Sequence, residues 1–195
     1  MTPTTTYPRP VRDEPLAIEL HNTLYAVAGA PVDGLAGERG LRAWLAAVHD
    51  RLPAEARGAD PRRLADFHRL RDAVREVLRA AAERRPARPA AVRTLNEASL
   101  RSPRSVQLVD RRGDPRVVID HHGADATDVA LGAIAVDAFE LVAGDRRGDL
   151  RSCGAPGCVL MYLRDHPRRA WCSPACGNRA RQARHYRRTH AHQTS

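Results

Sequence analysis

The sequence predicts a mostly α (α+β) fold: a helical N-terminal body with one β-hairpin, followed by a small cysteine-bearing module. Three observations carry that expectation. Apolar residues recur at helical spacing through most of residues 15–143. The period changes to a strand pattern once, around Arg112-Gly113-Asp114. All four cysteines lie within the last 45 of the 195 residues.

Residues 1–14 are expected to be disordered, because the segment is poor in apolar residues and rich in Thr and Pro. A first helix is expected from Pro15, with Leu16, Leu20, Leu24 and Val27 on one face and Gly29 and Pro31 as the stop. A second helix is expected over about 38–52, with Leu41, Trp44, Leu45 and Val48 facing inward. The third has the clearest start: Asp60 is an N-cap residue and Pro61 suits the first helical position. Leu64, Phe67, Leu70, Val74, Val77 and Leu78 form its apolar stripe, and Pro86 and Pro89 punctuate its end. A fourth short helix fits 90–100. Val106, Leu108 and Val117-Val118-Ile119 then predict a hairpin turning at Gly113. A fifth helix is expected over about 124–142. The polar run Gly144 to Gly148 is the expected boundary between a body of 15–146 and a module of 150–190, with 191–195 as a tail.

Charge is divided unevenly between these parts. The chain has 32 basic and 23 acidic residues, net +9, and every basic residue is Arg. Residues 1–150 carry 23 Arg against 22 acids, and residues 151–195 carry 9 Arg against Asp165 alone. A module at +8 beside a body at +1 points to a polyanion-binding element. No apolar run approaches a bilayer span, so no membrane partner is expected. The first residues lack an apolar leader core, and the expected compartment is the reducing cytoplasm. Aromatic residues make up only 4% of the chain. That argues against recognition modes built on several stacked bases.

The cysteines are spaced as Cys153-x4-Cys158, thirteen residues, then Cys172-x3-Cys176. Two short thiol pairs separated by a dozen or more residues supply the four soft ligands of a tetrahedral Zn²⁺ site. Disulfides and free thiols are the alternatives, and disulfides require an oxidising compartment. Gly154-Ala155-Pro156-Gly157 would turn the first pair toward one ion. Ser173 and Pro174 would start a helix at the second pair, whose N-terminal field favours thiolate. Residues 159–163 and 169–171 are expected to pair as a hairpin turning at Asp165-His166-Pro167. Knuckle, hairpin and helix together make a treble-clef-like zinc finger. Four cysteine ligands leave no open position, so one structural ion is expected rather than a catalytic one.

Cys153-GAPG-Cys158, Arg168-Arg169-Ala170-Trp171-Cys172-Ser173 and the run CGNRARQARHYRR from Cys176 resemble the CGNR zinc-finger proteins that carry an ABATE-type N-terminal domain. Glu19-Leu20-His21-Asn22-Thr23-Leu24 resembles the start of that domain. The resemblance implies a bacterial transcription regulator, linked to stress, whose finger binds DNA.

On a helix from Cys176, Ala180, Ala183 and Arg187 share the side toward the metal, while Arg181, Arg184 and Arg188 form a separate cationic stripe. Arg168, Arg169, Arg179, Arg181, Arg184, Arg187 and Arg188 are the candidate nucleic-acid contacts, set against the reading that a charged helix face is only solvated. Arg179 could equally serve the finger's own fold. Asn22 could hydrogen-bond a neighbouring loop or line an effector pocket. Asp120-His121-His122 reads as a polar loop more than a site, and His190 and His192 lie toward the tail. No phosphate loop, nucleophile elbow or carboxylate pair stands out, so no enzyme is expected. The expected protein is a DNA-binding regulator whose body dimerises or senses a small molecule. An RNA-binding or protein-interaction module is the alternative. Four thiolates and one Zn²⁺ contribute −2, so the loaded finger would fall from +8 to about +6.

Overall fold

A computed structural model describes residues 13–191 of the chain. Most of the expected disordered N-terminus, and residues 192–195 of the tail with His192, lie outside the described residues. Glu14 departs from that expectation. It is buried, because its carboxylate accepts from the Leu163 N–H at 2.9 Å and pairs with Arg169.

The chain is mostly α with three two-stranded antiparallel sheets among the described residues. Helix α1 (Leu16–His21) is far shorter than its apolar spacing suggests. It stops at Asn22, where the Thr23 hydroxyl donates to the Leu20 carbonyl and the Arg75 guanidinium donates to the His21 carbonyl. Strands β1 (Leu24–Val27) and β2 (Ala30–Asp33) follow as a hairpin in place of the expected continuous helix. The reason is the turn: Ala28 and Gly29 both take positive φ, the geometry whose twist suits a two-residue hairpin. Helix α2 (Glu38–Ala47) ends early and passes into a short 3₁₀ turn at His49–Arg51.

Helices α3 (Leu64–Ala82), α4 (Pro89–Leu100) and α5 (Ala126–Ala143) form the body. Asp60 accepts from the Arg62 N–H as expected of a cap, although a 3₁₀ turn at Pro61–Arg63 precedes the α-helix proper. Asp125 caps α5 through the N–H groups of Thr127 and Asp128. Arg63 ties the two helix starts together by pairing with Asp66, Asp125 and Asp128. The stripe Phe67, Leu70, Val74, Val77 and Leu78 packs with Ile18, Leu20, Trp44, Leu95, Leu131 and Ile134 into one core. Trp44 meets Phe67 edge-on at 6.3 Å. Strands β3 (Ser105–Arg111) and β4 (Asp114–Asp120) pair in register about Gly113, as the sequence predicts.

The polar run at the expected boundary is a 3₁₀ turn (Asp145–Asp149) that leads directly into β5 (Leu150–Ser152). Strand β5 pairs with β6 (Met161–Leu163), and α6 (Pro174–Ala191) closes the chain. The expected hairpin between 159–163 and 169–171 is not formed. Strand β6 spends its pairing edge on β5, and 164–173 is a loop turned by the Arg169 N–H donating to the His166 carbonyl. Leu150, Met161 and Leu163 belong to the body's core, while Tyr25 and Val32 of the first hairpin join the apolar cluster around the cysteines. The two halves therefore interlock.

Candidate metal centre and cationic helix

The β5–β6 turn places the first two cysteines. The Cys153 N–H donates to Leu160, and the Cys158 N–H donates to Ala155, folding 153–158 into a tight knuckle. Gly157 takes φ +70° there, a conformation costly to any residue with a Cβ. The start of α6 places the other two: the Ser173 hydroxyl accepts from the Cys176 N–H, the capping the sequence predicts.

The four sulfurs converge within 4.8 Å of one another. Cys158 to Cys172 and Cys176 to Cys158 are each 3.8 Å, and Cys172 to Cys176 is 3.4 Å. Each of these separations is far longer than the about 2.05 Å of a disulfide, and none of the four cysteines is in a disulfide. With Zn–S bonds of about 2.3 Å, a tetrahedral site has sulfurs about 3.8 Å apart. The donor set and its dimensions thus fit zinc. Protonation gives the same answer. Hydrogen bonds from Cys158 and Cys172 hold the Cys153 thiol far below its usual range. The Cys153 neighbour pushes Cys158 up to about 11, and Cys172 higher still. Sulfurs this close cannot all ionise against one another. A divalent cation at their centre lets all four bind as thiolates.

Trp171 seals one side. Its indole lies between Gly154 and Gly177, and a Cβ on Gly177 would meet Trp171 Cδ1 at 2.9 Å. The Gly of the CGNR run is therefore required by contact, since the helix start and the indole share one space. Arg179 donates from Nη2 to Cys176 Sγ at 3.3 Å, and Asn178 accepts from Arg181. Such a donor on a metal-binding thiolate steadies its charge.

The match of an ABATE family model, described as "Putative stress-induced transcription regulator", covers residues 14–145. The chain belongs to the ABATE family. The match of a CGNR zinc finger model covers residues 150–189, so the cysteine site lies within a finger of known type. Together, the four-sulfur geometry and the CGNR match establish one structural zinc ion. No curated protein matches the chain.

The seven candidate arginines divide by environment. Arg169 is turned into the ABATE protein. It pairs with buried Glu14 at 2.5 Å and with Asp165 at 3.2 Å, donates to the Leu163 carbonyl and lies 4.9 Å over the Tyr162 ring. Arg179 is also exposed, but its guanidinium is turned to the metal site, donating to Cys176 Sγ. Arg168, Arg181, Arg184, Arg187 and Arg188 are exposed. Among the described residues, no arginine of α6 forms an ion pair. Cys176 and Ala180 are buried and Ala183 half-buried, the inward side expected of them, but Arg187 is exposed. Every residue from Arg184 to Thr189 is exposed, so α6 projects from the ABATE–CGNR unit.

Two polar features of the ABATE domain are fixed by contacts between distant segments. Asn22, 1% exposed, donates to the Met161 carbonyl and accepts from the Met161 N–H, so it holds the finger's strand. Glu14 holds the same strand by accepting from the Leu163 N–H. The pairing of Asn22 across 139 residues has no local signal. His121 accepts from or donates to the Ser102 hydroxyl at 2.9 Å, and Asp120 accepts from the His122 N–H. The cluster ties the base of the hairpin to the end of α4. No helix among the described residues is long and apolar enough to cross a membrane.

Proposed function

We propose that this ABATE protein is a non-enzymatic, DNA-binding transcription regulator of the bacterial cytoplasm. Its zinc finger presents α6 to the duplex, and its body dimerises or senses a signal. The observation that carries this reading is the projecting face of Arg181, Arg184 and Arg188, exposed and free of acidic partners among the described residues. An Arg-rich helix fits the width of a major groove, and its guanidinium forks match phosphate and guanine edges. Its base is fixed by Cys172 and Cys176, so the cations are held in one orientation rather than on a loose tail. Arg168 and Arg187 extend the surface. Arg169 and Arg179 are left out of it, because each is already committed within the protein.

The test is an electrophoretic mobility shift of zinc-loaded protein on genomic duplex fragments at two salt concentrations. The comparison is wild type against the triple variant Arg181→Ala, Arg184→Ala, Arg188→Ala. Each lost phosphate contact should reduce the slope of log affinity against log salt by about 0.9. Equal binding by both proteins rejects the assignment of the stripe. Preference for structured RNA over duplex DNA would transfer the reading to an RNA-binding module.

A further inference from the structure

The β3–β4 hairpin has one face that is wholly apolar around its middle. Val106 stands directly opposite Ile119, and Leu108 directly opposite Val117. Directly opposed residues of an antiparallel pair point the same way. These four side chains are 72%, 47%, 73% and 68% exposed. The other face carries Ser105, Gln107, Asp114, Arg116 and Asp120 around Val109 and Val118, knitted by Gln107–Asp120 and Arg116–Asp114 hydrogen bonds. No residue of either strand belongs to the body's core or to the cluster around the cysteines. The hairpin is an amphipathic arm with its apolar side open. A two-stranded hairpin without a packed face is at best marginally stable in water.

At its base the apolar face runs into a groove of about 720 Å³ between the end of α4 and α5. Ile119 lines that groove together with Leu100, Pro103, Ala133 and Val136, and Leu100 is itself 76% exposed. We propose that the arm and this groove rim form a self-complementary interface on which a second copy of the chain docks about a two-fold axis.

Three observations favour a second copy over another occupant. The first is area. The four arm residues and Leu100 leave roughly 500 Å² of apolar surface, the size of the largest patch a monomer ordinarily exposes, which is often a functional one. Two such faces bury about 1,000 Å², which reaches the threshold for a specific interface. The second is charge. Residues 104–120 carry four Arg and three Asp, a mixed pattern that suits pairing with itself and does not select a strongly charged partner. The third is the charge of the body, +1 over residues 1–150, which lets two bodies meet without the repulsion two fingers would feel.

This inference deepens the reading as a regulator. One finger offers few base contacts, and two arms joined at a two-fold place two cationic helices on one assembly. The test contains no nucleic acid, so failure of the dimer and failure of DNA binding are separable. Sedimentation equilibrium of the full zinc-loaded chain is compared with that of the double variant Leu108→Gln, Val117→Thr. Wild type should be a dimer at micromolar concentration. The variant should be a monomer, with at least a tenfold weaker association, unchanged zinc content and unchanged helical circular dichroism. Hydrogen exchange of the β3–β4 amides gives a second readout: their protection in wild type should rise with protein concentration. A wild type that stays monomeric at 100 µM overturns the proposal. So does a variant that dimerises as well as wild type, or arm protection that is independent of concentration.

Discussion

The side-chain amide of Asn22 completes the free edge of strand β6 by hydrogen-bonding both backbone groups of Met161, each at 2.9 Å. One edge of β6 pairs with β5, and the other has no third strand among the described residues. Asn22 takes that place, because a carboxamide presents the same donor and acceptor as a peptide group. Glu14 extends the arrangement by accepting from Leu163. Asn22→Ala leaves the Met161 N–H and C=O without these partners in a buried site. The expected loss is about 2–4 kcal/mol, from the cost of two unsatisfied buried groups. Asn22→Asp keeps the acceptor for the N–H but sets a carboxylate against the carbonyl, and should be worse than Ala. Urea denaturation of the two variants measures the order. Wild-type stability in Asn22→Ala would show that the clamp contributes nothing.

Zinc removal should destabilise the body as well as the finger. Leu150, Met161 and Leu163 reach the main core from the strands that carry the knuckle, and Tyr25 and Val32 reach the cysteine cluster from the body. Chelation should therefore release one zinc per chain, unfold much of α6, and lower the melting temperature of the remaining helices by several degrees. Metal analysis with thermal melts followed by circular dichroism decides it. An unchanged body transition after complete zinc loss would show that the interlock carries no energy.

Gly177→Ala should weaken the finger through a single contact. The new methyl would sit 2.9 Å from Trp171 Cδ1, and the indole would have to leave its place between Gly154 and Gly177. Overpacking of this kind costs about 1–3 kcal/mol. The expected result is a weaker zinc affinity and altered Trp171 emission. Combining Gly177→Ala with Trp171→Leu should cost less than the sum of the two single changes, because the collision then has no second partner.

Much of this architecture is legible in the sequence for a physical reason. Helices α3, α4 and α5 bury long stripes against a shared core, so their apolar period is set by packing. The cysteine site is equally legible, because tetrahedral thiolate ligation demands particular residues at close spacing. The first hairpin is not. Leu16, Leu20, Leu24 and Val27 hold helical spacing through a segment where α1 ends at His21 and Tyr25 packs into the cysteine cluster instead. Arg169 shows the same limit. Its neighbours in the chain match a cationic surface, yet its partner Glu14 lies 155 residues away. Contacts between distant segments leave no period to read.

Glu76 makes an acid-dependent contribution of known sign. It accepts from Arg85 and from the Arg88 N–H, tying the end of α3 to the start of α4. The Arg85 guanidinium holds its carboxyl down to about 2, against an ordinary 4.5. The folded protein thus binds the proton less readily than the unfolded chain. The stabilisation is full above pH 4.5 and is lost as pH falls toward 2. Glu76→Gln keeps the shape and one acceptor but removes the charge. It should lower the melting temperature at pH 7, and the gap to wild type should narrow steadily as pH falls from 5 toward 2. The difference between the two proteins isolates the effect, since acid strips zinc from both alike. A gap that stays constant across that range would mean that Glu76 acts through packing and not through its charge.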